Sequence, residues 1–128
     1  DLARDEMAFR KTYEKFVHRK ELTTVFDLGT VFSELQGYKP LEVITARIIE
    51  KPGCDAKKIP PLFSPFKATI RISDIRTVDI DDLTPTDFQG SSPDVQNVEE
   101  LLDHLEEIYA QPIENFDNTV TRIQIQYL

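Results

Sequence analysis

The residues best equipped for chemistry are few. The chain has one cysteine, Cys54, and two histidines, His18 and His104, far apart in sequence. A single cysteine excludes an internal disulfide and a cysteine-based zinc cage, and the histidines show no ligand spacing. Cys54 lies between Gly53 and Asp55 in a proline-rich stretch with no neighbouring base to make it a nucleophile. His18 ends a predicted helix, where an imidazolium suits the C-terminal dipole. His104 falls among leucines and acids and reads as a half-buried helix histidine. No G-x-x-x-x-G-K-[ST], G-x-G-x-x-G, H-E-x-x-H or G-x-S-x-G pattern occurs, and four glycines in all leave no glycine-rich phosphate cradle. Neither a metal nor a cofactor is expected.

Charge narrows the partners. The chain of 128 residues has a net charge of −8, unevenly placed. Residues 1–78 are mildly basic, whereas Asp79 to Asp117 contains twelve acids and no Lys or Arg. Such a protein does not attract long polyanions by its overall field, but its basic half can hold one phosphate. The acidic stretch reads first as a solubilising surface. Leu, Ile, Val and Phe total 39 residues, enough for a self-sufficient core in one domain spanning 1–128. No apolar run reaches the length of a transmembrane helix, and the charged DLARDEM start is unlike a secretory signal. A reducing, cytoplasmic setting without membrane contact is the expectation.

The elements that must position these residues follow from periodicity. Phe9, Tyr13, Phe16 and Val17 form one apolar stripe and predict a helix over 2–18. LTTVFDLG (22–29) predicts a short strand, Gly37, Tyr38 and Pro40 a turn, and LEVITARIIE (41–50) a second strand. The prolines of 52–66 predict an irregular loop. KATIRISDIRTVDI (67–80) alternates cleanly until Asp74, where a change of parity predicts a bulge. Thr84 or Thr86 can cap a short turn, and Asn97 a second helix facing inward through Val98, Leu101, Leu102, Leu105, Ile108 and Tyr109 and stopped by Pro112. A final strand covers 119–128, with a parity slip near Arg122. The order predicts an α+β fold, a small mixed β-barrel with helices at its rim.

Two segments, HRKELTTVFDLG (18–29) and LTPTDFQGSSPDVQNVEELLDHLEEIYAQP (83–112), together with GYKPLEVITARIIE and the final VTRIQIQYL, resemble an ASCH domain, a small β-barrel family similar in fold to the PUA domains. The resemblance runs from about Phe9 to Leu128. The family pattern G-x-K-x-x-[ET]-x-R is matched in part. His18 stands at the glycine, Lys20 at the lysine and Thr23 at the acid-or-threonine position, and the arginine position falls on Val25, or on Asp27 with one insertion.

The resemblance implies a cleft beside the barrel that binds a nucleotide, a nucleoside or an RNA element. It also implies, as an alternative, an amidohydrolase acting on N4-acetylcytidine-like nucleosides, with Lys20, Thr23 and Asp94 as the catalytic set. A threonine hydroxyl needs a base, and Lys20 serves only if desolvation or a cation such as Arg19 lowers its pKa. Asp94 then belongs beside the leaving amine as proton donor. In an extended strand Thr23, Val25 and Asp27 share one face. If Leu22 and Phe26 enter the core, Thr24 follows them and Thr23 faces the cleft with Asp27. Tyr38 and Phe88 are the aromatics available to stack on a base, Arg47 and Arg71 the cations from neighbouring strands, and Ser92 the hydroxyl next to Asp94. A third reading makes Asp79 to Asp117 a surface for a basic protein.

Overall fold

The computed structural model describes residues 6–28, 39–54, 56–109, 114 and 118–128. It contains five strands, β1 (Glu6–Arg10), β2 (Thr24–Leu28), β3 (Val43–Lys51), β4 (Leu62–Asp79) and β5 (Thr119–Tyr127). Two helices, α1 (Glu14–His18) and α2 (Val98–Tyr109), accompany them. The strands form one mixed sheet in the order β1-β3-β4-β5-β2. Only β1 on β3 is parallel among these pairings. The sheet curls into a half-barrel, an α+β architecture as the element order predicts. No described helix is long and apolar enough to cross a membrane.

The first element departs from the sequence reading. Residues 6–10 form a strand, and the helix over 2–18 shrinks to one 3-10 turn, Lys11–Tyr13, followed by the five residues of α1. EMAFR is itself alternating, with Met7 and Phe9 buried. Charged, helix-favouring neighbours hide that period of two. Pairing with β3 and an ion pair from Arg47 Nη1 to Glu6 Oε2 at 2.8 Å override local propensity.

The proline-rich stretch is also shorter than predicted, because β4 begins at Leu62 and runs through Pro65. Between the pairs Arg47↔Lys67 and Ile49↔Phe63, three β4 residues oppose Ile48 alone. This bulge excuses Pro65 from donating a ladder hydrogen bond. The parity change near Asp74 is a second bulge, with Ser73 as the extra residue between Ile72↔Ile125 and Asp74↔Gln124. The predicted slip near Arg122 is absent, since β4–β5 pairing runs unbroken from Asp74 to Asp79. Instead β5 passes between two cores. Ile123 and Ile125 join the cluster inside the curl with Ile44, Ile48, Ile70 and Ile72. Val120 joins a second cluster with Phe26, Phe88, Val95, Leu101 and Leu105 beneath α2.

Local stereochemistry sets the ends of the helices. α1 closes in a Schellman arrangement, in which Glu21 N–H donates to the Phe16 carbonyl (2.8 Å) and Lys20 N–H to that of Val17 (3.0 Å). Lys20 therefore holds φ at 60°, a conformation that favours glycine. Asn97 caps α2 by accepting from Glu100 N–H at 2.9 Å, as predicted. Thr84 caps the 3-10 turn Pro85–Phe88, in a capping box with Asp87.

The strand lead-in Leu22–Thr24 is a junction of hydrogen bonds. Thr23 N–H and Thr24 N–H both donate to the Gly90 carbonyl (2.8 and 3.0 Å). Ile125 N–H donates to the Thr23 carbonyl (2.9 Å), and the Tyr127 hydroxyl to that of Leu22 (2.6 Å). Gly90 has φ +83°, and a Cβ built there would stand 2.2 Å from Thr23 Oγ1. Gly90→Ala is expected to lose about 1–3 kcal/mol of stability, whereas Lys20→Gly is expected to gain about 0.5–1 kcal/mol by removing left-handed strain. Urea titration of both variants checks the opposite signs.

Candidate functional site

The curl of the sheet brings its two edge strands to the walls of one cavity of about 110 Å³. Ala8, Phe9 and Arg10 line it from β1, and Thr24, Val25, Phe26 and Asp27 from β2. Leu22, Tyr13, His104 of α2 and Ser91, Ser92 and Val95 of the preceding loop complete the lining. A second, more open hollow, which shares Arg10 and Tyr13, adds Asp94, Lys15 and Glu107.

Three tethers hold the segment that carries Ser92 and Asp94. Gly90 docks on Thr23 and Thr24, as above. Thr24 Oγ1 donates to the Gln89 carbonyl at 2.7 Å. Arg122, buried in β5, donates through Nε to the Asp87 carbonyl at 2.8 Å. Arg76 adds a contact to Asp87 Oδ1 at 3.2 Å. Hydrogen bonds from Thr84 hold the Asp87 carboxyl below its ordinary pKa, against burial and with help from both arginines.

A polar network stands at the cavity wall. Ser92 Oγ donates to Asp94 Oδ1 (2.6 Å), and the Tyr13 hydroxyl donates to Asp94 Oδ2 (2.8 Å). His104 Nδ1 lies 3.2 Å from the same hydroxyl and 4.0 Å from Asp94 Oδ2. Burial pushes the Asp94 carboxyl up, but the Ser92 and Tyr13 hydroxyls outweigh it and leave the group below its usual range. Burial also holds His104 below the ordinary histidine value, with the Asp94 charge offsetting only part of the effect. Tyr13 is pushed up to about 12, chiefly by burial. At neutral pH the network is a carboxylate, a phenol and a neutral imidazole.

The site residues proposed from sequence are divided by the fold. Ser92, Asp94, Thr24 and Asp27 belong to the hollows or their walls. Leu22, Thr24 and Phe26 are buried together, as the parity argument requires. Thr23 is packed against Gly90 and is not among the lining residues. Lys20 and Arg19 are exposed in the turn after α1 and do not line the cavity. Arg47 and Arg71 project from the sheet face opposite the buried Ala46, Ile48, Ile70 and Ile72. Arg47 is held there by Glu6 and lies over the Phe63 ring at 4.9 Å. Phe88 is core, 5.4 Å from the Phe26 ring. Tyr38 lies outside the described residues.

Sequence reasoning overlooked Arg10, Tyr13 and His104 as site residues. The signal for His104 was its position three residues after Leu101 and one before Leu105, a polar ring at the edge of an apolar stripe. Tyr13 was hidden because it fits an apolar stripe equally well. Among the described residues, no group of three or more His, Cys, Asp or Glu can hold a metal.

Asp87, Asp94 and His104 each bind fewer protons folded than unfolded, so stability rises with pH through their windows. The His104 contribution is lost as pH falls below about 6.5, and the carboxylate contributions as pH falls below about 3.9. Urea midpoints at pH 7.5 and 5.5 test the first window. The drop on acidification should be smaller in His104→Gln than in the parent protein.

No protein-family model matches the chain, and no curated protein matches it. Among solved structures, the hypothetical protein PH0355 is similar, with a TM-score of 0.58 at 17% identity over 96% of this chain and 97% of that one. Protein EF3133 from Enterococcus faecalis V583, labelled with the family model DUF984, is similar with a TM-score of 0.57 at 13% identity over 91% of this chain and 70% of that one. At these identities the likeness is one of fold.

Proposed function

We propose that the cavity between β1 and β2 binds a nucleoside or a single nucleotide, the function implied by the sequence's resemblance to ASCH domains. One observation carries this reading. The open seam of the half-barrel is a cavity of about 110 Å³, open to solvent, in which apolar walls meet a converging set of polar groups, the usual make-up of a small-molecule site. Phe9, Val25 and Phe26 offer surface to a base, and Ser92, Thr24 and His104 offer hydrogen-bonding groups. Arg10 supplies a cation. Its exposed pair with Glu107 at 3.3 Å is of the kind that adds little stability, so the guanidinium is available to a phosphate. The net charge of −8 favours a small ligand over a long polyanion.

Amide hydrolysis is the second reading, supported by an aspartate, Asp94, in the polar network beside the cavity. Its two hydrogen bonds keep it ionised, which suits accepting more than donating a proton. Lys20 and Thr23 lie outside the cavity lining. Binding is therefore preferred.

Calorimetric titration with the four ribonucleosides and their 5′-monophosphates tests the proposal. Arg10→Ala is expected to weaken a monophosphate about tenfold while leaving its nucleoside unchanged. Ala8→Phe, which fills the cavity, is expected to abolish both. Absence of binding by every nucleoside and monophosphate would sink the reading. Release of cytidine from N4-acetylcytidine, lost in Lys20→Ala, would replace it with the hydrolytic one.

A further inference from the structure

We infer that His104 is held as the Nδ1–H tautomer by Tyr13 and Asp94, so that the cavity presents acceptors and selects a base edge that donates N–H bonds, as the guanine edge does. The ligand part of this inference rests on the nucleoside reading above, but the tautomer part does not.

The first step is proton accounting. Tyr13 has one hydroxyl proton, and Asp94 Oδ2 is its nearer partner, at 2.8 Å against 3.2 Å for His104 Nδ1. Giving that proton to the imidazole would leave the phenol oxygen facing a carboxylate with nothing between them. The hydroxyl therefore donates to Asp94, and its oxygen can only accept from His104. The imidazole proton is then on Nδ1, and the hydrogen bond made by one ring nitrogen sets the state of the other. Nε2 is left with a lone pair. It has no hydrogen-bond partner among the described residues, and it is not sealed from solvent. The side chain is 13% exposed, and the residue lines the cavity.

The second step extends this accounting to the other hydroxyls of the wall. Ser92 gives its proton to Asp94, Thr24 gives its own to the Gln89 carbonyl, and Ser91 gives its own to the Val95 carbonyl, with the Phe88 carbonyl as the other acceptor in reach. Each proton is directed into the protein, so what remains toward a ligand is oxygen lone pairs and His104 Nε2. Arg10 is the lining side chain that carries a donor cation. The charged groups acting on His104 come from three elements: Asp94 of the docked segment, Arg10 of β1 and Glu107 of α2. A guanine base offers adjacent N–H donors from its ring and its amino group. A site of unpaired acceptors discriminates strongly against an analogue that lacks a donor.

The experiment is nitrogen-15 NMR of the histidine ring in the full chain at pH 7.5, first without ligand. A His104 proton on Nδ1 is expected, with a shift toward Nε2–H in Tyr13→Phe. A predominantly Nε2–H ring in the parent protein overturns the inference, as does an unchanged Nδ1–H ring in Tyr13→Phe. If Tyr13→Phe fails to fold, Asp94→Asn replaces it under the same criterion. Guanosine and 1-methylguanosine are then titrated. Guanosine is expected to shift the Nε2 resonance and to bind at least about tenfold more tightly than the methylated nucleoside. Equal binding overturns the donor-edge selection. Binding of other nucleosides but not guanosine does the same. Failure of every nucleoside to bind while Nδ1–H persists overturns the nucleoside reading and the ligand part with it, and supports the tautomer part.

Discussion

The structure depends on one close contact, that of Gly90 with Thr23 and Thr24. Here a backbone carbonyl satisfies two successive amides of the strand lead-in, at a separation that leaves no room for a side chain on Gly90. The contact joins the loop before α2 to the edge of the sheet. Because Thr23 and Leu22 also accept from Ile125 and Tyr127, the same three residues fasten the loop, the edge strand and the C-terminal strand together. Ser92 and Asp94 follow Gly90 within four residues, so the position of the polar network is inherited from this junction. Thr23, which the resemblance singles out, and its neighbour Thr24 thus have a structural occupation at this junction.

The rest of the molecule solves a problem of curvature. A five-stranded sheet that closed completely would have no seam, and a flat one would have no cavity. Two bulges interrupt β4, the longest strand, one at Ser64–Phe66 against β3 and one at Ser73 against β5. The sheet curls far enough to bring β1 and β2 to the walls of one cavity. α2 and its preceding loop then cover the second core, and His104 reaches the polar wall from that helix. The buried Arg122 belongs to this cover. It is satisfied by Asp87, and it ties the loop to the middle of β5.

Much of this was legible in the sequence. Alternation located β3, the later part of β4 and β5. Asn97 and Thr84 located their caps. The change of parity at Asp74 located a bulge. What misled was context. EMAFR has a strand's period but helix-forming neighbours, and only the parallel partner in β3 decides between them. The prolines of 52–66 suggest irregularity until the bulge opposite Ile48 shows where Pro65 escapes the ladder. The buried run from Val120 to Ile123 looks like a register slip, because sequence periodicity assumes one core and the fold has two. The site was half legible. Ser92, Asp94 and Asp27 follow from the resemblance and from strand parity, whereas parity sends Thr24 to the core and Thr23 to the cleft, and the cavity is lined by Thr24 instead. Arg10, Tyr13 and His104 required knowing that a short edge strand, a helical turn and a distant helix meet, a long-range fact that no local pattern contains.

The position of β1 has a consequence for motion. It is a five-residue edge strand with β3 as its pairing partner, and it forms one entire wall of the cavity. Such an edge opens at lower free energy than the antiparallel strands behind it. The cavity can therefore lose a wall while the remaining four strands stay paired. Ligand occupancy and the opening of β1 are then linked thermodynamically. A molecule seated in the seam would slow amide exchange along Met7 to Arg10 and leave the slowest-exchanging amides of β4 and β5 little changed.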